Sequence, residues 1–454
     1  AANITEYWEK QFAGFYKLLE YSGIWIDMNE VANFCNPDGM AQTCEVVTDD
    51  DCSDGCCGLK CSVVDADNKY DNAPYVPHVS QGSLGAKTIP ASVLHQDGVT
   101  RQYDTHSLYG LMESIATNKA ITKITGKRPF LLSRSTFPSS GVHTAHWTGD
   151  NAATWDDLSA SIITMNTLSL FGLSMTGADI CGFIGSTTEE LCARWIEVGA
   201  FSPFSRDHNS IGEEPQELYR WDVVTAASQN ALQLRYRLLP HLYTLMYRAS
   251  AEAITVMNGL WMHFPTDAKA ITAYGQYMWS DSILFTPVLQ EGATSVEGYF
   301  PAGLWYSLSD TSIIQGPQTV SLDTPVAATN AHIRGGSIVP MQEFAMTTTA
   351  VRKTPYTLVI ALDGNGEANG KLYLDDGVHV SLLKYEYRGQ ELASTLVSKS
   401  VSDHENPAVK SIQLWGVEII GGTACSATIS GSDKKFDVLA EYNADVKRLS
   451  LTVP

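Results

Sequence analysis

Two aspartates of this 454-residue chain stand where short apolar runs stop. Asp27 ends Gly23-Ile24-Trp25-Ile26 and is followed by Met28-Asn29-Glu30; Asp150 ends His146-Trp147-Thr148-Gly149 and is followed by Asn151. Each carboxyl group would emerge from a buried strand beside a tryptophan, a flat apolar surface suited to the face of a sugar ring. Two carboxyl groups about 5 Å apart can open a glycosidic bond with retention, one attacking the anomeric carbon while the other protonates the leaving oxygen. An aspartate at a strand end is also a common turn residue or helix cap, so the elements around the pair have to decide.

Those elements have a barrel-like rhythm. Trp8, Phe12, Phe15 and Leu19 recur at helical spacing over residues 4–21, and Gly23 then releases the chain into an apolar strand over 24–26. A helix over 108–120 leads to a strand over 129–132, and a strand over 144–147 leads to a helix over 156–170. A strand over 173–176, a helix over 188–198, a strand over 201–204 and a long helix over 223–249 containing Pro240 follow. Asp27, Arg134, Asp150, Asp179, Arg206 and His208 each fall just after one of these strands, the place where a (β/α)8 barrel carries its reactive groups. Only five strands can be counted, and five parallel strands leave open edges, so the others must come from elsewhere.

Between the first two strands lies an insertion at about 33–103, rich in Cys, Asp, Asn, Gly and Pro, with Cys35, Cys44, Cys52, Cys56, Cys57 and Cys61 crowded into it. Such crowding reads as disulfides formed in an oxidising compartment; a zinc site lacks both a histidine and paired C-x-x-C spacing, and the pairing stays open. Cys425 is left over. Thr48-Asp49-Asp50-Asp51 with Asp54 and Gly55 lacks the alternating ligands and closing glutamate of a calcium loop and reads as a solvated acidic turn. From about residue 260, short alternating runs over 282–288, 304–308, 331–339, 356–361 and 371–374 are punctuated by Gly, Asp and Asn. The fold class is therefore α/β plus all-β: the C-terminal five strands of a (β/α)8 barrel over 1–255 with a disulfide-rich insertion, then two β-sandwich domains over 256–345 and 346–454.

From Gly23 to about Pro340 the chain resembles glycoside hydrolase family 31. The block Trp25-Ile26-Asp27-Met28-Asn29-Glu30 is similar to the nucleophile signature of its secreted eukaryotic α-glucosidases. Ser133-Arg134-Ser135-Thr136-Phe137-Pro138, His146-Trp147-Thr148-Gly149-Asp150-Asn151, Gly177-Ala178-Asp179-Ile180-Cys181-Gly182-Phe183 and Arg206-Asp207-His208-Asn209 follow in the family's order. The resemblance implies a nucleophile at Asp27, a general acid and base at Asp150 and a supporting carboxylate at Glu30. Arg134, Asp179 and His208 would bind the hydroxyls of a terminal glucose, Arg206 would fix the site, and Trp25, Met28, Trp147 and Phe183 would line its apolar faces. Arg134 can equally be read as a structural ion pair and His208 as a core histidine. Cys181 and Cys192 bracket the loop after a barrel strand and read as a disulfide. Asp27 has to stay ionised, which Arg134 favours, and Asp150 has to hold a proton, which a negative neighbour and apolar walls favour.

Val31-Ala32 replaces the Pro-Ser of many relatives, and the family's N-terminal β domain and first barrel strands have no counterpart. The expected partner is therefore a companion N-terminal chain cut from the same precursor, in keeping with the absence of an initiator Met and a signal peptide. The sequon Asn3-Ile4-Thr5 reads as a glycosylation site of a secreted protein, although Asn3 with Glu6 also resembles a helix-start box. A formal net charge of -20 opposes binding to nucleic acid or to anionic membranes. The uncharged run over 158–178 is broken by Gly172 and rich in Ser and Thr, and reads as a buried helix entering a buried strand rather than a membrane span. No cofactor and no metal are expected, and the substrate expected is an oligosaccharide of the maltose type. An α-xylosidase and a non-catalytic carbohydrate-binding chain are the alternatives.

Overall fold

The computed structural model describes residues 2–32, 45–46, 59–60, 68–72, 74–75, 88–399, 408–417, 426–428, 435–437 and 439–453. The six crowded cysteines, Cys425 and the acidic stretch over 48–55 lie outside the described residues, as does the side chain of Asn3. The chain divides into two units, Ala1–Ala145 and His146–Pro454.

In the first unit, helix α1 (Ala2–Tyr16) leads to strand β1 (Gly23–Ile26), and helix α2 (Tyr109–Thr125) leads to strand β2 (Phe130–Ser133). β1 and β2 are parallel, Gly23 to Ile26 facing Phe130 to Ser133 in register. The α1 helix stops at Tyr16 rather than 21. Tyr21 folds back over it, its ring stacked on Phe15 at 6.0 Å and edge-on to Tyr16 at 5.1 Å, with its hydroxyl donating to the Phe12 carbonyl at 3.2 Å. That return requires the chain to reverse directly after Tyr16. The Trp8 indole donates to Thr117 Oγ1 at 2.8 Å, pinning α1 to α2, and Gly126, left-handed at φ 65°, closes α2.

The second unit continues the alternation. Strand β3 (Ala145–Trp147), helix α3 (Trp155–Leu170), strands β4 (Thr176–Gly177) and β5 (Asp179–Ile180), helix α4 (Glu189–Gly199), strand β6 (Arg206–Asp207) and helix α5 (Asp222–Glu252) follow in order. β3 pairs in parallel with β4, and β5 with β6. Thr154 and Thr188 cap α3 and α4, accepting from Asp157 and Leu191 N–H groups, and acidic pairs in both first turns suit the helix dipole.

The strand expected over 201–204 lies instead at Arg206–Asp207. Phe201 is fully buried against the rings of Trp279 and Phe285, at 5.9 and 4.7 Å, and its carbonyl accepts from the Trp279 indole at 2.7 Å. The apolar character of that run therefore serves packing, and strand pairing begins later. The strand expected over 173–176 is shifted in the same direction, with Leu173 buried in the approach to β4.

Beyond α5 the chain is β-rich, as expected. A six-stranded antiparallel sheet contains β7 (Met257–Asn258), β8 (Tyr277–Trp279), β9 (Ile283–Phe285), β10 (Ser295–Ser307), β11 (Ile313–Asp323) and β12 (Ala331–Arg334), in the order β11-β10-β12-β9-β8-β7. An eight-stranded mixed sheet contains β13 (Ser337–Gln342), β14 (Tyr356–Ala361), β15 (Ala368–Asp375), β16 (Val380–Arg388), β17 (Glu391–Lys399), β18 (Val409–Trp415), β19 (Leu439–Asn443) and β20 (Arg448–Thr452), in the order β17-β16-β15-β13-β14-β18-β20-β19. The run over 331–339, read as one strand, is two strands in different sheets. Gly335 and Gly336 make the crossing, where a Cβ on Gly335 would lie 2.8 Å from the Leu362 carbonyl oxygen and Gly336 has φ 95°. One buried core joins α3, α4 and α5 to both sheets, through Leu158, Trp195, Leu238, Trp279, Val339 and Trp415 among others.

Candidate active site

In the first unit, Asp27 leaves the end of β1 exposed, and its Oδ1 accepts the Met28 N–H at 2.8 Å. Met28 is held at φ 52°, a left-handed conformation that an L side chain rarely adopts, so the chain turns sharply as soon as the carboxylate has been presented. Trp25 and Met28 are exposed on either side of it. Arg134, just past β2, commits two nitrogens to Glu30, Nε to Oε1 at 2.9 Å and Nη2 to Oε2 at 2.8 Å, and turns Nη1 toward Asp27 Oδ1 at 3.5 Å. Burial pushes the Glu30 carboxyl upward, but the hydrogen bonds and charge of Arg134 outweigh it and hold Glu30 below its ordinary value. The Arg134 fork thus sits in an ion pair with Glu30 and presents a cation to Asp27.

Beneath them Asn29 is buried. Its amide donates to Ser133 Oγ at 2.9 Å and accepts from the Ser135 N–H at 2.8 Å, tying the end of β1 to the end of β2. Gly110 in α2 makes this possible, since a Cβ there would lie 2.4 Å from the Ser135 carbonyl oxygen.

In the second unit, Asp150 is exposed after Gly149, whose φ of 78° turns the chain out of β3. Asn151 then clamps the next strand. Its Nδ2 donates to the Asp179 carbonyl at 2.9 Å, and its Oδ1 accepts the Asp179 N–H at 2.9 Å. Its own carbonyl accepts from Phe183 N–H at 2.7 Å and Ile184 N–H at 3.1 Å. Asp179 is buried and ion-paired to Arg206 Nη1 at 3.0 Å, and the same guanidinium lies 5.7 Å above the buried ring of Trp147. Phe183 stacks on His208 with ring centroids 5.2 Å apart. Cys181 and Cys192 are joined by a disulfide that ties this loop to α4, and a Cβ on Gly182 would lie 2.3 Å from the Ala153 Cα, so the loop lies directly on the Asn151 strand exit.

Burial raises the Asp179 carboxyl to about 7; Arg206 works against the rise, and the charges of Asp150 and Asp207 add to it. The folded state therefore binds a proton at Asp179 that the unfolded chain has released, and the associated stability is present at acid pH and lost as pH rises from about 4 to about 7. In Asp179→Asn the fall in urea-unfolding free energy across that window is expected to be smaller than in the wild type. An unchanged slope would refute the assignment.

Sequence reasoning overlooked the amide residues that hold these groups in place. Asn29 and Asn151 sit inside quoted motifs, and their position next to a chemical aspartate was the available signal. Asn151→Ala is expected to destabilise the protein by about 2–4 kcal/mol in urea unfolding, because it strands the buried N–H and C=O of Asp179. Among the described residues no group of three His, Cys, Asp or Glu side chains could hold a metal ion.

Residues 1–245 match the glycosyl hydrolases family 31 TIM-barrel domain, and residues 253–339 match the glycosyl hydrolase family 31 C-terminal domain. The chain belongs to glycoside hydrolase family 31. This family 31 chain is 44% identical over 378 residues to a probable alpha-glucosidase of Oryza sativa subsp. japonica, covering 82% of itself and 40% of that protein. It is 42% identical to alpha-xylosidase 1 of Arabidopsis thaliana, covering 82% of itself and 41% of the relative. Its fold resembles the crystal structure of a glucosidase II alpha subunit with a TM-score of 0.76 at 26% identity, over 81% of this chain and 43% of that one. The family 31 chain thus spans less than half the length of these relatives.

Proposed function

We propose that this chain carries the catalytic carboxylates of a retaining α-glucosidase, which releases terminal non-reducing α-linked glucose from maltose-type oligosaccharides. Asp27 attacks the anomeric carbon and forms a β-glucosyl ester while Asp150 protonates the departing oxygen; Asp150 then takes a proton from water, which opens the ester with net retention. Interception of the ester by a sugar hydroxyl gives transglucosylation. Glu30 steadies Arg134 beside Asp27; Arg134, Asp179, Arg206 and His208 bind glucose hydroxyls, and Trp25, Met28, Trp147 and Phe183 supply apolar faces. The observation that carries this reading is that each aspartate stands exposed just past a parallel strand, with an asparagine two residues or one residue on anchoring the turn through its side-chain amide.

The reading extends to a companion N-terminal chain of the same precursor that supplies the first barrel strands, to secretion with a glycan on Asn3, and to the domain division at 255 and 345. Among the described residues no helix is long and apolar enough to cross a membrane. The relative named alpha-xylosidase 1 favours a second reading, in which the pocket takes xylose. Initial rates on maltose and isoprimeverose separate the two, and NMR of the first product tests the stereochemistry. We expect faster release from maltose, with α-glucose appearing before its β anomer. Faster release from isoprimeverose would select the xylosidase, and β-glucose appearing first would defeat double displacement.

A further inference from the structure

The strands that carry Asp179 and Arg206 are only two residues long, Asp179–Ile180 against Arg206–Asp207. A ladder that short fixes the spacing of its side chains poorly unless something else grips it. Gln216 supplies the grip. It is 3% exposed, and its Nε2 donates both to the Ile180 carbonyl at 3.0 Å and to Asp207 Oδ1 at 2.8 Å, one contact to the last residue of each strand. Two acceptors facing one end of the side chain fix which end is the nitrogen. Its Oε1 is buried with no hydrogen-bond partner among the described residues, so the side chain is placed by what it donates and not by satisfying its own oxygen. The loop that delivers it is itself tied to the site, Asn209 Nδ2 donating to the Glu214 carbonyl at 2.9 Å.

We propose that Gln216 is a positioning residue, a bracket across Ile180 and Asp207 that sets the spacing of Asp179, Arg206 and His208 and thereby the affinity for the terminal glucose. The inference rests on the reading that these three side chains bind that sugar. Burial lifts the Asp207 carboxyl to about 6, with the Gln216 donation opposing the rise and the charge of Glu217 adding to it. Asp179 also senses Asp207, and Arg206 pairs with Asp179, so these are the charged groups that face the bracket.

Glucose binding by calorimetry, with maltose kinetics alongside, on the intact enzyme and on Gln216→Leu and Gln216→Glu tests this. Gln216→Leu removes both donations and is expected to weaken glucose binding about tenfold, with a matching rise in KM for maltose. Gln216→Glu sets a second carboxyl against Asp207. At about pH 5, with both carboxyls protonated, the introduced one donates to the Ile180 carbonyl and accepts from Asp207, which keeps the bracket, and affinity should stay within about threefold of wild type; at about pH 8 both groups ionise and repel, and affinity should fall about tenfold or more. A side chain that merely fills space would not produce that pH dependence, and should Gln216→Leu fail to fold, Gln216→Glu decides. Wild-type maltose hydrolysis and glucose binding, with Gln216→Glu tracking the wild-type pH profile, overturn the bracket and leave the glucosidase reading standing. A wild type that neither cleaves maltose nor binds glucose removes both.

Discussion

Asp27→Ala, made in the enzyme with its barrel complete, is expected to lose maltose turnover by at least about ten-thousand-fold, since no ester can form without the attacking carboxylate. The loss should be chemically repairable. Truncation to Ala vacates the space of a carboxylate at the exposed end of β1, beside the Arg134 guanidinium that faces Asp27 at 3.5 Å. A small anion such as azide can enter there and attack α-glucosyl fluoride directly. Fluoride leaves with its electron pair, one bond forms and one breaks at the anomeric carbon, and a single displacement inverts it, so the product is β-glucosyl azide. Glu30 remains paired with Arg134 in the variant, and folding should be little altered. Measuring fluoride release with and without azide, and the anomer by NMR, decides the matter. Wild-type turnover of maltose by Asp27→Ala would remove Asp27 from the chemistry.

Asp150→Ala should separate substrates by the basicity of what they release. Maltose expels a sugar hydroxyl that needs a proton as the bond breaks, so kcat/KM is expected to fall about 10²–10⁴-fold. Nitrophenyl α-glucoside expels an anion stable without a proton, and formation of its glucosyl ester should stay within about tenfold of wild type. The second step still lacks a base, so the ester accumulates; azide, which needs none, then opens it to α-glucosyl azide after two inversions. The contrast with the β product of Asp27→Ala is what assigns one role to each aspartate. Equal losses on both substrates would show that Asp150 holds structure instead of donating a proton.

The parts of this molecule that were legible in the sequence are those with a local signal. The Asp27 block is contiguous, and helices such as α3 and α4 announce themselves by apolar spacing and by the capping Thr154 and Thr188. Strands of two residues cannot do so. β4, β5 and β6 are too short to carry a periodicity, and the apolar run before β6 was drawn into packing against Trp279 and Phe285. The run over 331–339 hid a change of sheet because hydrophobic alternation reports burial and not which sheet does the burying; only the glycine pair at 335–336 marked it. The side-chain amides that secure the site were harder still. Asn29, Asn151 and Gln216 each act through a pair of side-chain hydrogen bonds to groups elsewhere in the chain, and no composition or period records those. The fork from Arg134 to Glu30 belongs to the same class, its partners separated by most of the first unit.

The central claim is that Asp27 is the group that becomes covalently bonded to glucose. A fluorinated glucosyl fluoride, which forms the glucosyl ester readily but hydrolyses slowly, traps that bond for mass spectrometry of the digested protein. The account predicts one fluoroglucosyl label, on the peptide containing Asp27, with loss of activity in step with labelling. A label on another carboxylate, or steady turnover with no covalent adduct, would contradict it.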